Sequence, residues 1–299
     1  MISKPPLIII DTLTVMHCAF NLKRHPLTKQ VMHKLPNKIR DQRCKDTAAL
    51  YETGYFLPNI LTPEAVAKDG LPQLLWVGDD KTAPYWRHKE YWDLLDAGEI
   101  VHSAKKQQRG YKGGRNSCPY QQWIAKRLYK ATGSWTVPGY EADDLAAAVV
   151  KTCSNDRQIY LLTIDTDWMQ LINANTTWVC VKGFSPPIRT LGNLPVWFQA
   201  KLNKESKKVQ SQLYSGNPRD IVKWKMLTGD LSDNLPKGTP RHMFDLLEPK
   251  PEHRLWDKLD IPSIVAARQL EVNLDNGALK DDWILNNEGD LPTPIYSTN

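Results

Sequence analysis

Short hydrophobic runs alternate along the chain with longer segments of mixed polarity. The runs that are apolar almost throughout predict buried strands at 7–10, 74–78, 159–164 and 178–181. Between them, the spacing of apolar residues predicts helices at 13–22, 37–56, 120–131 and 141–151. Strands that alternate with helices predict an α/β fold with a mostly parallel central sheet and crossover helices.

Beyond residue 182 the pattern changes. Residues 183–220 are predicted to be basic and loop-like, and the remaining chain alternates short helices with proline-rich joints. We therefore predict an α/β core at 1–182, with a basic, glycine-punctuated excursion at about 80–135, and a helical region at 183–299.

Composition limits the class of protein. With 299 residues and 41% hydrophobic content, the chain can bury a substantial core. No apolar run approaches the ~20 residues of a membrane span, and no signal-peptide pattern begins the sequence. The five cysteines form no CxxC pair and no even-numbered disulfide framework. These features favour a reducing, cytoplasmic location.

The net charge of +6 is unevenly distributed. Residues 101–130 carry eight basic side chains and no acidic one, and a second basic stretch runs from Lys201 to Lys225. Carboxylates concentrate between the two stretches, at 141–167. Basic flanks around an acidic centre suit a polyanion held over metal ions. The alternative is a pair of solvated helix faces.

Acidic residues also follow the predicted strands. Asp11 comes directly after the first run, Asp79 and Asp80 follow the second, and Asp165 and Asp167 follow the third. Sites of open α/β sheets lie outside the carboxyl ends of the strands, so these side chains are predicted to meet at one edge. On a continuing strand, positions i and i+2 would turn Asp165 and Asp167 to one side.

Two further acidic groups have helical spacing. Glu141, Asp143 and Asp144 fall in the predicted first turn of a helix, where they repel one another unless a cation binds. Asp230 and Asp233 are three residues apart, so one helical turn would present both on one face. The alternative for the first group is a charged, solvated helix start.

Taken in order, these stretches resemble the 5′-nucleases, a family that includes flap endonucleases, polymerase-associated 5′→3′ exonucleases, and bacteriophage ribonuclease H or 5′-exonuclease enzymes. The order and rough spacing of these stretches match the family from residue 7 to about 245. The resemblance is carried by Ile10-Asp11, Gly78-Asp79 with Tyr85-Trp86-Arg87, Glu141-Ala142-Asp143-Asp144, Asp165-Thr166-Asp167, and Gly229-Asp230 with Ser232-Asp233-Asn234.

The resemblance implies a PIN-like core with a helical arch and a C-terminal duplex-binding region. It implies two Mg²⁺ ions, which Mn²⁺ can replace, with an inner ion held by Asp11, Asp79, Glu141, Asp143 and Asp144. The outer ion would be held by Asp165, Asp167, Asp230 and Asp233. Tyr111 to Arg115 resembles the family's Tyr-Lys-x-x-Arg, which gives Lys112 and Arg115 catalytic contacts with the scissile phosphate. The predicted nucleic-acid contacts are Arg87, Lys89, Lys105, Lys106, Arg109, Tyr111, Lys126, Lys237 and Arg241.

The implied activity is metal-dependent 5′→3′ exonuclease and flap endonuclease cleavage of DNA or RNA–DNA hybrids, which leaves 5′-phosphates. Ribonuclease H activity is a further option. The implied setting is phage replication in the host cytoplasm, in primer removal or DNA degradation. There a monomer would act on branched or 5′-ended DNA beside replication proteins such as a single-strand-binding protein. The alternatives are a PIN-type endoribonuclease and a non-catalytic nucleic-acid-binding relative.

Three departures from the family pattern leave choices open. The interval from Asp79 to Lys112 is long, so Arg87 and Lys89 are reserve candidates for the catalytic cation. Asp80 competes with Asp79 as a ligand, and Asp79 is preferred. The segment 236–241 has one glycine and two prolines where the family binds duplex backbone and a monovalent cation, which leaves the monovalent site open.

Overall fold

The structure is a computed structural model. It describes residues 4–19, 38, 41–42, 44–45, 48, 70–80, 82–102, 107–113, 119–180, 188–213, 217–268 and 270–271. Lys105, Lys106, Arg115 and most of the helix predicted at 37–56 lie outside these residues.

The described strands form one mixed sheet in the order β5-β4-β3-β1-β2-β6. The strands are β1 Leu7–Asp11, β2 Gln73–Val77, β3 Ile159–Leu162, β4 Thr176–Val179, β5 Ile188–Arg189 and β6 Leu270–Glu271. The central four strands are parallel, and the two-residue edge strands β5 and β6 run antiparallel to their neighbours. The predicted α/β fold with a mostly parallel sheet is confirmed.

Helices connect and flank these strands. The described α-helices are α1 Thr12–Ala19, α2 Trp86–Asp96, α3 Pro119–Thr132, α4 Ala142–Cys153, α5 Leu194–Leu202, α6 Lys207–Gln210, α7 Asp220–Thr228 and α8 Ile261–Arg268. Short 3₁₀ helices occupy Gln107–Arg109, Thr166–Leu171, Arg241–Met243, Pro251–His253 and Leu255–Asp257. None of the helices within the described part of the chain is long and apolar enough to span a bilayer.

Helix α4 organises the core. Its alanines and valines at 146–150 are buried, and they pack against the sheet face that carries Leu7 and Ile9. Small side chains allow close approach of this helix to the strands. Close packing at this point fixes the first turn of α4, which carries acidic residues, relative to the strand ends.

The C-terminal region differs from the sequence-based expectation. Residues 183–220 were predicted to be loop-like, but β5, α5 and α6 lie there, so that prediction is wrong. Phe198, Ile221 and Val265 join the same hydrophobic cluster as α4, and β5 and β6 join the sheet. The hydrophobic core therefore includes residues on both sides of position 182. The division of the chain into two regions at that position remains a prediction.

Candidate metal and nucleic-acid site

Asp11 closes β1 and opens α1. Its Oδ1 accepts hydrogen bonds from the backbone N–H groups of Leu13 and Thr14, at 3.0 and 3.1 Å. Its Oδ2 accepts from the hydroxyls of Thr14 and Thr163, at 2.6 and 2.9 Å. These donors hold the Asp11 carboxylate at the start of the helix and fix its position at the carboxyl edge of the sheet.

Asp79 lies two residues after β2 at the same edge. Its Oδ1 accepts a 2.9 Å bond from the Ala142 backbone N–H, and its own N–H donates to the Tyr129 hydroxyl at 3.0 Å. Gly78 permits this approach, because a Cβ there would lie 2.6 Å from Cζ of Tyr129. The competing Asp80 instead accepts from Thr82 nearby in sequence. Burial and the Glu141 charge raise the pKa of Asp79, while Lys112 opposes the shift.

Asp144 and Arg87 form a buried ion pair beneath the first turn of α4. The guanidinium donates to both oxygens of Asp144, at 2.8 and 3.0 Å, and to Glu141 at 3.2 Å. Asp144 also accepts from Trp86 Nε1 and from the Glu141 backbone N–H. Arg87 is 2% exposed and its guanidinium is paired with these carboxylates, and its predicted contact with nucleic acid remains a prediction. These donors occupy both oxygens of Asp144, and its metal-ligand role remains a prediction.

Glu141 is fully buried and neutralised by several donors. The Lys112 ammonium contacts its Oε1, and the Tyr111 hydroxyl donates to its Oε2 at 2.8 Å. Burial alone would raise the pKa of Glu141, but Lys112 and Arg87 outweigh it and lower that pKa. Tyr111 is 4% exposed and its hydroxyl is bonded to Glu141, and its contact with nucleic acid remains a prediction.

The carboxylates of Asp143 and Asp165 lie close enough for their charges to repel each other. Asp143 accepts a 2.8 Å bond from Trp168 Nε1, while burial and the Asp165 charge raise its pKa well above the usual range. Although Asp165 is exposed, the protein groups packed around its carboxylate desolvate it, and this desolvation and the charge of Asp167 raise its pKa to about 7. It caps the 3₁₀ helix that begins at Thr166 rather than extending β3, which corrects the predicted strand geometry.

A second cluster joins Asp167 to the turn after α7. Carboxylate oxygens of Asp167, Asp230 and Asp233 lie within 4.8 Å of one another. The ammonium of Lys225 contacts both Asp167 and Asp230. Asp230 also accepts from the Ser232 backbone N–H at 2.8 Å. These donors lower the pKa of Asp230 to about 2, despite its burial.

The turn that bears Asp230 is not helical. The backbone groups of Asp230 and Leu235 exchange hydrogen bonds of 2.8 and 2.9 Å, which close a tight loop and correct the predicted helical turn. Gly229 sits at φ 76°, and its Cβ position is 2.8 Å from the Leu235 carbonyl oxygen. Glycine is therefore required where the chain leaves α7.

The same turn holds the segment that carries Lys112. The Lys112 N–H donates to the Asp233 carbonyl at 2.9 Å. Asn234 Nδ2 donates to the carbonyls of Gly110 and Gly113, at 3.1 and 2.7 Å. Asn234 adopts φ 62°, a left-handed conformation that asparagine tolerates better than most residues. The position of Lys112 thus depends on the turn at 230–235.

The remaining predicted nucleic-acid contacts have varied surroundings. Lys89, Arg109, Lys126 and Lys237 are exposed. Arg241 is half-exposed, and its Nε donates to the buried Asp245 at 2.8 Å. Exposure leaves the first four side chains accessible to a phosphate backbone, and contact with nucleic acid remains a prediction for all five.

Several residues that shape the site were not among the predicted set. Lys225 was noted only as part of a basic stretch, but it shares the buried face of α7 with Ile221 and Val222. Helical spacing could have revealed that face, since residue 225 follows 221 by four positions. Tyr129 carried no local signal, and Asn234 was part of the family resemblance but had no predicted role, because the partners of both are distant in sequence.

The donor set suits hard divalent cations. The functional groups are carboxylate oxygens, which Mg²⁺ and Mn²⁺ prefer as ligands. The Lys225 ammonium also marks a place between Asp167 and Asp230 where a positive charge is stabilised. The chemistry of the residues therefore fits the metal ions that the sequence resemblance implies.

Sequence comparison relates the chain to known proteins. No protein-family model matches it. It is 27% identical over 219 residues to the thermostable DNA polymerase I of Thermus aquaticus, which covers 71% of this chain and 21% of the polymerase. It is 30% identical over 120 residues to the 5′-3′ exonuclease of Mycoplasma pneumoniae, which covers 37% of this chain and 35% of the exonuclease. These alignments thus span about a fifth and about a third of the two relatives.

The chain is less similar in sequence to the solved structures than to the two sequence relatives. The bacteriophage T5 flap endonuclease, in a pseudo-enzyme–product complex with DNA and metal ions, aligns over 94% of this chain and 97% of its own. Sequence identity is 13% and the TM-score is 0.45. Because this score is below 0.5, the fold assignment rests on the strand order and connections described above. The sequence relatives confirm the predicted resemblance to the 5′-nucleases.

Proposed function

We propose that this protein is a divalent-metal-dependent 5′-nuclease that cleaves phosphodiester bonds at 5′ ends and flaps of DNA and in RNA–DNA hybrids. The observation that carries the proposal is the convergence of carboxylates from distant segments at one edge of the sheet, beside Lys112. So many acidic groups in one place disfavour the folded protein unless cations bind. Cations held there would in turn attract a phosphate backbone.

In this proposal, the acidic residues hold the metal ions and the lysine acts on the phosphate. Asp11, Asp79, Glu141, Asp143 and Asp144 would hold an inner Mg²⁺, and Asp165, Asp167, Asp230 and Asp233 an outer one. When bound, two such ions supply activated water and stabilise the leaving 3′-oxygen. The ammonium of Lys112 would neutralise charge that develops on the scissile phosphate.

The basic surface would select nucleic-acid shape rather than sequence. Contacts of Lys89, Arg109, Lys126 and Lys237 with phosphates carry no base information. We therefore infer recognition of 5′ ends, flaps and hybrids, with products that carry a 5′-phosphate. Primer removal or DNA degradation during phage replication is the setting that we propose, with a monomer acting in the host cytoplasm beside a single-strand-binding protein.

The test is cleavage of end-labelled substrates by the purified protein. A DNA 5′-flap, a duplex with a recessed 5′ end, an RNA–DNA hybrid and single-stranded RNA are each incubated with Mg²⁺, Mn²⁺, Ca²⁺ or EDTA. We expect flap cleavage with Mg²⁺ and Mn²⁺, and little with Ca²⁺, whose looser coordination positions water poorly. Mass spectrometry should find 5′-phosphates on the products.

Three outcomes would contradict the proposal. Full activity in EDTA would exclude a metal-dependent mechanism. Cleavage restricted to single-stranded RNA would favour the PIN-type endoribonuclease, while binding of the flap without cleavage in any divalent metal would favour the non-catalytic relative.

A further inference from the structure

Lys225 lies inside the outer carboxylate cluster rather than on the basic surface. Its ammonium contacts an oxygen of Asp167 and, at 2.5 Å, an oxygen of Asp230. The side chain is 9% exposed, although lysines are rarely buried unless they are paired. The lysine is therefore the internal counter-charge of this cluster.

The fold directs Lys225 into this position. Ile221 and Val222 are buried on the same face of α7, and they anchor that helix so that residue 225 points toward the cluster. Nearby Asp167, Asp230 and Asp233 raise the pKa of Lys225 against the opposing effect of burial. The side chain thus remains a full positive charge at neutral pH.

A divalent ion held by this cluster would need the same carboxylates. The oxygens of Asp167, Asp230 and Asp233 are within 4.8 Å of one another, and the ammonium already contacts two of these three side chains. Two cations at such short range repel strongly in a poorly solvated place. The ammonium and the ion therefore exclude each other.

We propose that Lys225 is a built-in competitor for the outer divalent ion, which binds only when the ammonium leaves Asp167 and Asp230. Bound nucleic acid would offer the displaced ammonium a phosphate as its new partner. Metal and nucleic acid would then favour each other's binding, a coupling that must be reciprocal. This inference rests on the proposed function, since it concerns the outer of the two proposed metal sites.

The test is direct measurement of Mn²⁺ binding without nucleic acid. Electron paramagnetic resonance counts free Mn²⁺ during titration of the wild type and of Lys225→Met, which removes the charge and keeps an unbranched side chain. The wild type should show one tight and one weak site. In Lys225→Met we expect the weak site to tighten by about tenfold or more, because the competing charge is gone.

Lys223→Met is the matched control. Lys223 lies on the same helix and is 59% exposed, and it pairs with Asp220 rather than with the cluster. The same loss of charge at that position should leave the weak Mn²⁺ site unchanged. Equal tightening in both variants would indicate a general effect of net charge and would overturn the proposal.

Loss of a buried counter-charge could prevent Lys225→Met from folding, so two further measurements are included. Lys225→Gln removes the charge and keeps a hydrogen-bond donor, and it should tighten the weak site in the same way. In the wild type, saturating Mn²⁺ without nucleic acid should increase acetylation of Lys225 several-fold relative to Lys223, as measured by mass spectrometry.

An unchanged or weaker outer site in Lys225→Met and Lys225→Gln would overturn the inference, as would acetylation of Lys225 that saturating Mn²⁺ does not increase. These results are independent of the proposed activity. A wild type that fails to cleave any substrate would contradict the proposed function while the Mn²⁺ titration still decides the role of Lys225.

Discussion

The inner and outer carboxylate groups differ in how their charge is balanced. At the inner group, burial raises the pKa values of Asp79 and Asp143, so their charges are poorly compensated. At the outer group, Lys225 helps to lower the pKa of Asp230 to about 2. Asp79 and Asp143 therefore depend on a cation that the chain does not fully provide, whereas Asp167 and Asp230 already contact the ammonium of Lys225.

This difference suggests different affinities for metal. An ion that enters the inner group relieves repulsion and desolvation, so its binding should be tight and should stabilise the fold. An ion that enters the outer group must first displace Lys225. The inner group is also fixed by strand ends and a helix start, while the outer one includes a turn closed by Asp230 and Leu235.

The largest expected effect separates the two groups by activity. Asp143→Asn should lower single-turnover cleavage by about a thousandfold at any Mg²⁺ concentration, because it removes a proposed ligand of the inner ion. Asp230→Asn should leave cleavage that high Mg²⁺ partly restores. A Mg²⁺ titration of each variant on the flap substrate measures both. Equal and unrescued loss in the two variants would contradict the division between the groups.

Asp143→Asn should also stabilise the metal-free protein. The pKa of Asp143 is raised well above its ordinary value, so its ionised form destabilises the fold at neutral pH. Asparagine removes the charge and can still accept the hydrogen bond from Trp168 Nε1. The melting temperature in EDTA should therefore rise. A marked fall would indicate that Asp143 is a structural cap instead.

The next expected effect distinguishes Lys112, which contacts the inner group, from Lys225, which contacts the outer group, by how their substitution changes cleavage. Lys112→Ala should lower kcat by about a hundredfold, with a smaller change in nucleic-acid Kd, because its ammonium acts on transition-state charge. Lys225→Met should instead shift the Mg²⁺ dependence. Single-turnover rates at several Mg²⁺ concentrations distinguish the two patterns. If the exposed Lys89→Ala gives a larger loss than Lys112→Ala, the assignment of the catalytic lysine is wrong.

The third effect is that Asp230 and Asp165 change the stability of the metal-free protein in opposite directions as the pH rises. The folded pKa of Asp230, about 2, lies below its ordinary 3.8, so its contribution of about 2 kcal/mol is complete above about pH 4 and is lost as the pH falls. The folded pKa of Asp165 is about 7, so its contribution to stability declines as the pH rises from about 4 to about 7.

Urea unfolding between about pH 2 and pH 8 measures these contributions. Asp230→Asn should be less stable than the wild type above about pH 4, and Asp165→Asn should be more stable near pH 7. Saturating Mg²⁺ should remove most of the decline attributed to Asp165. Parallel pH curves for the wild type and both variants would show that Asp165 and Asp230 do not differ in charge balance within the outer group.

The smallest effect concerns the connection between the groups. Asn234→Gly removes the two hydrogen bonds to Gly110 and Gly113 but suits the positive φ at this position. The segment with Lys112 should loosen, and kcat should fall by about tenfold with little change in KM. Tight Mn²⁺ binding should persist as the control. An unchanged kcat would mean that the backbone bond from Lys112 to Asp233 suffices to hold the lysine.

The sequence by itself determined the central strands and the edge at which the site forms. Continuous apolar runs such as Leu7–Ile10 reflect burial on both faces of a parallel sheet, and the residue after each run must lie at the carboxyl edge. Local pattern therefore located Asp11 and Asp79 correctly at that edge. It also predicted helix α4, which begins directly after Glu141.

Only the tertiary structure decided which charges face one another. Arg87 and Tyr111 have the composition of a nucleic-acid surface, yet both are buried against Glu141, which is 54 and 30 residues away in sequence. Lys225 resembled its exposed neighbour Lys223 until the packing of α7 placed it beside Asp167. Hydrophobic periodicity records which face of an element is buried, but the partner of a buried charge depends on how distant elements pack, and that information is absent from any local stretch of sequence.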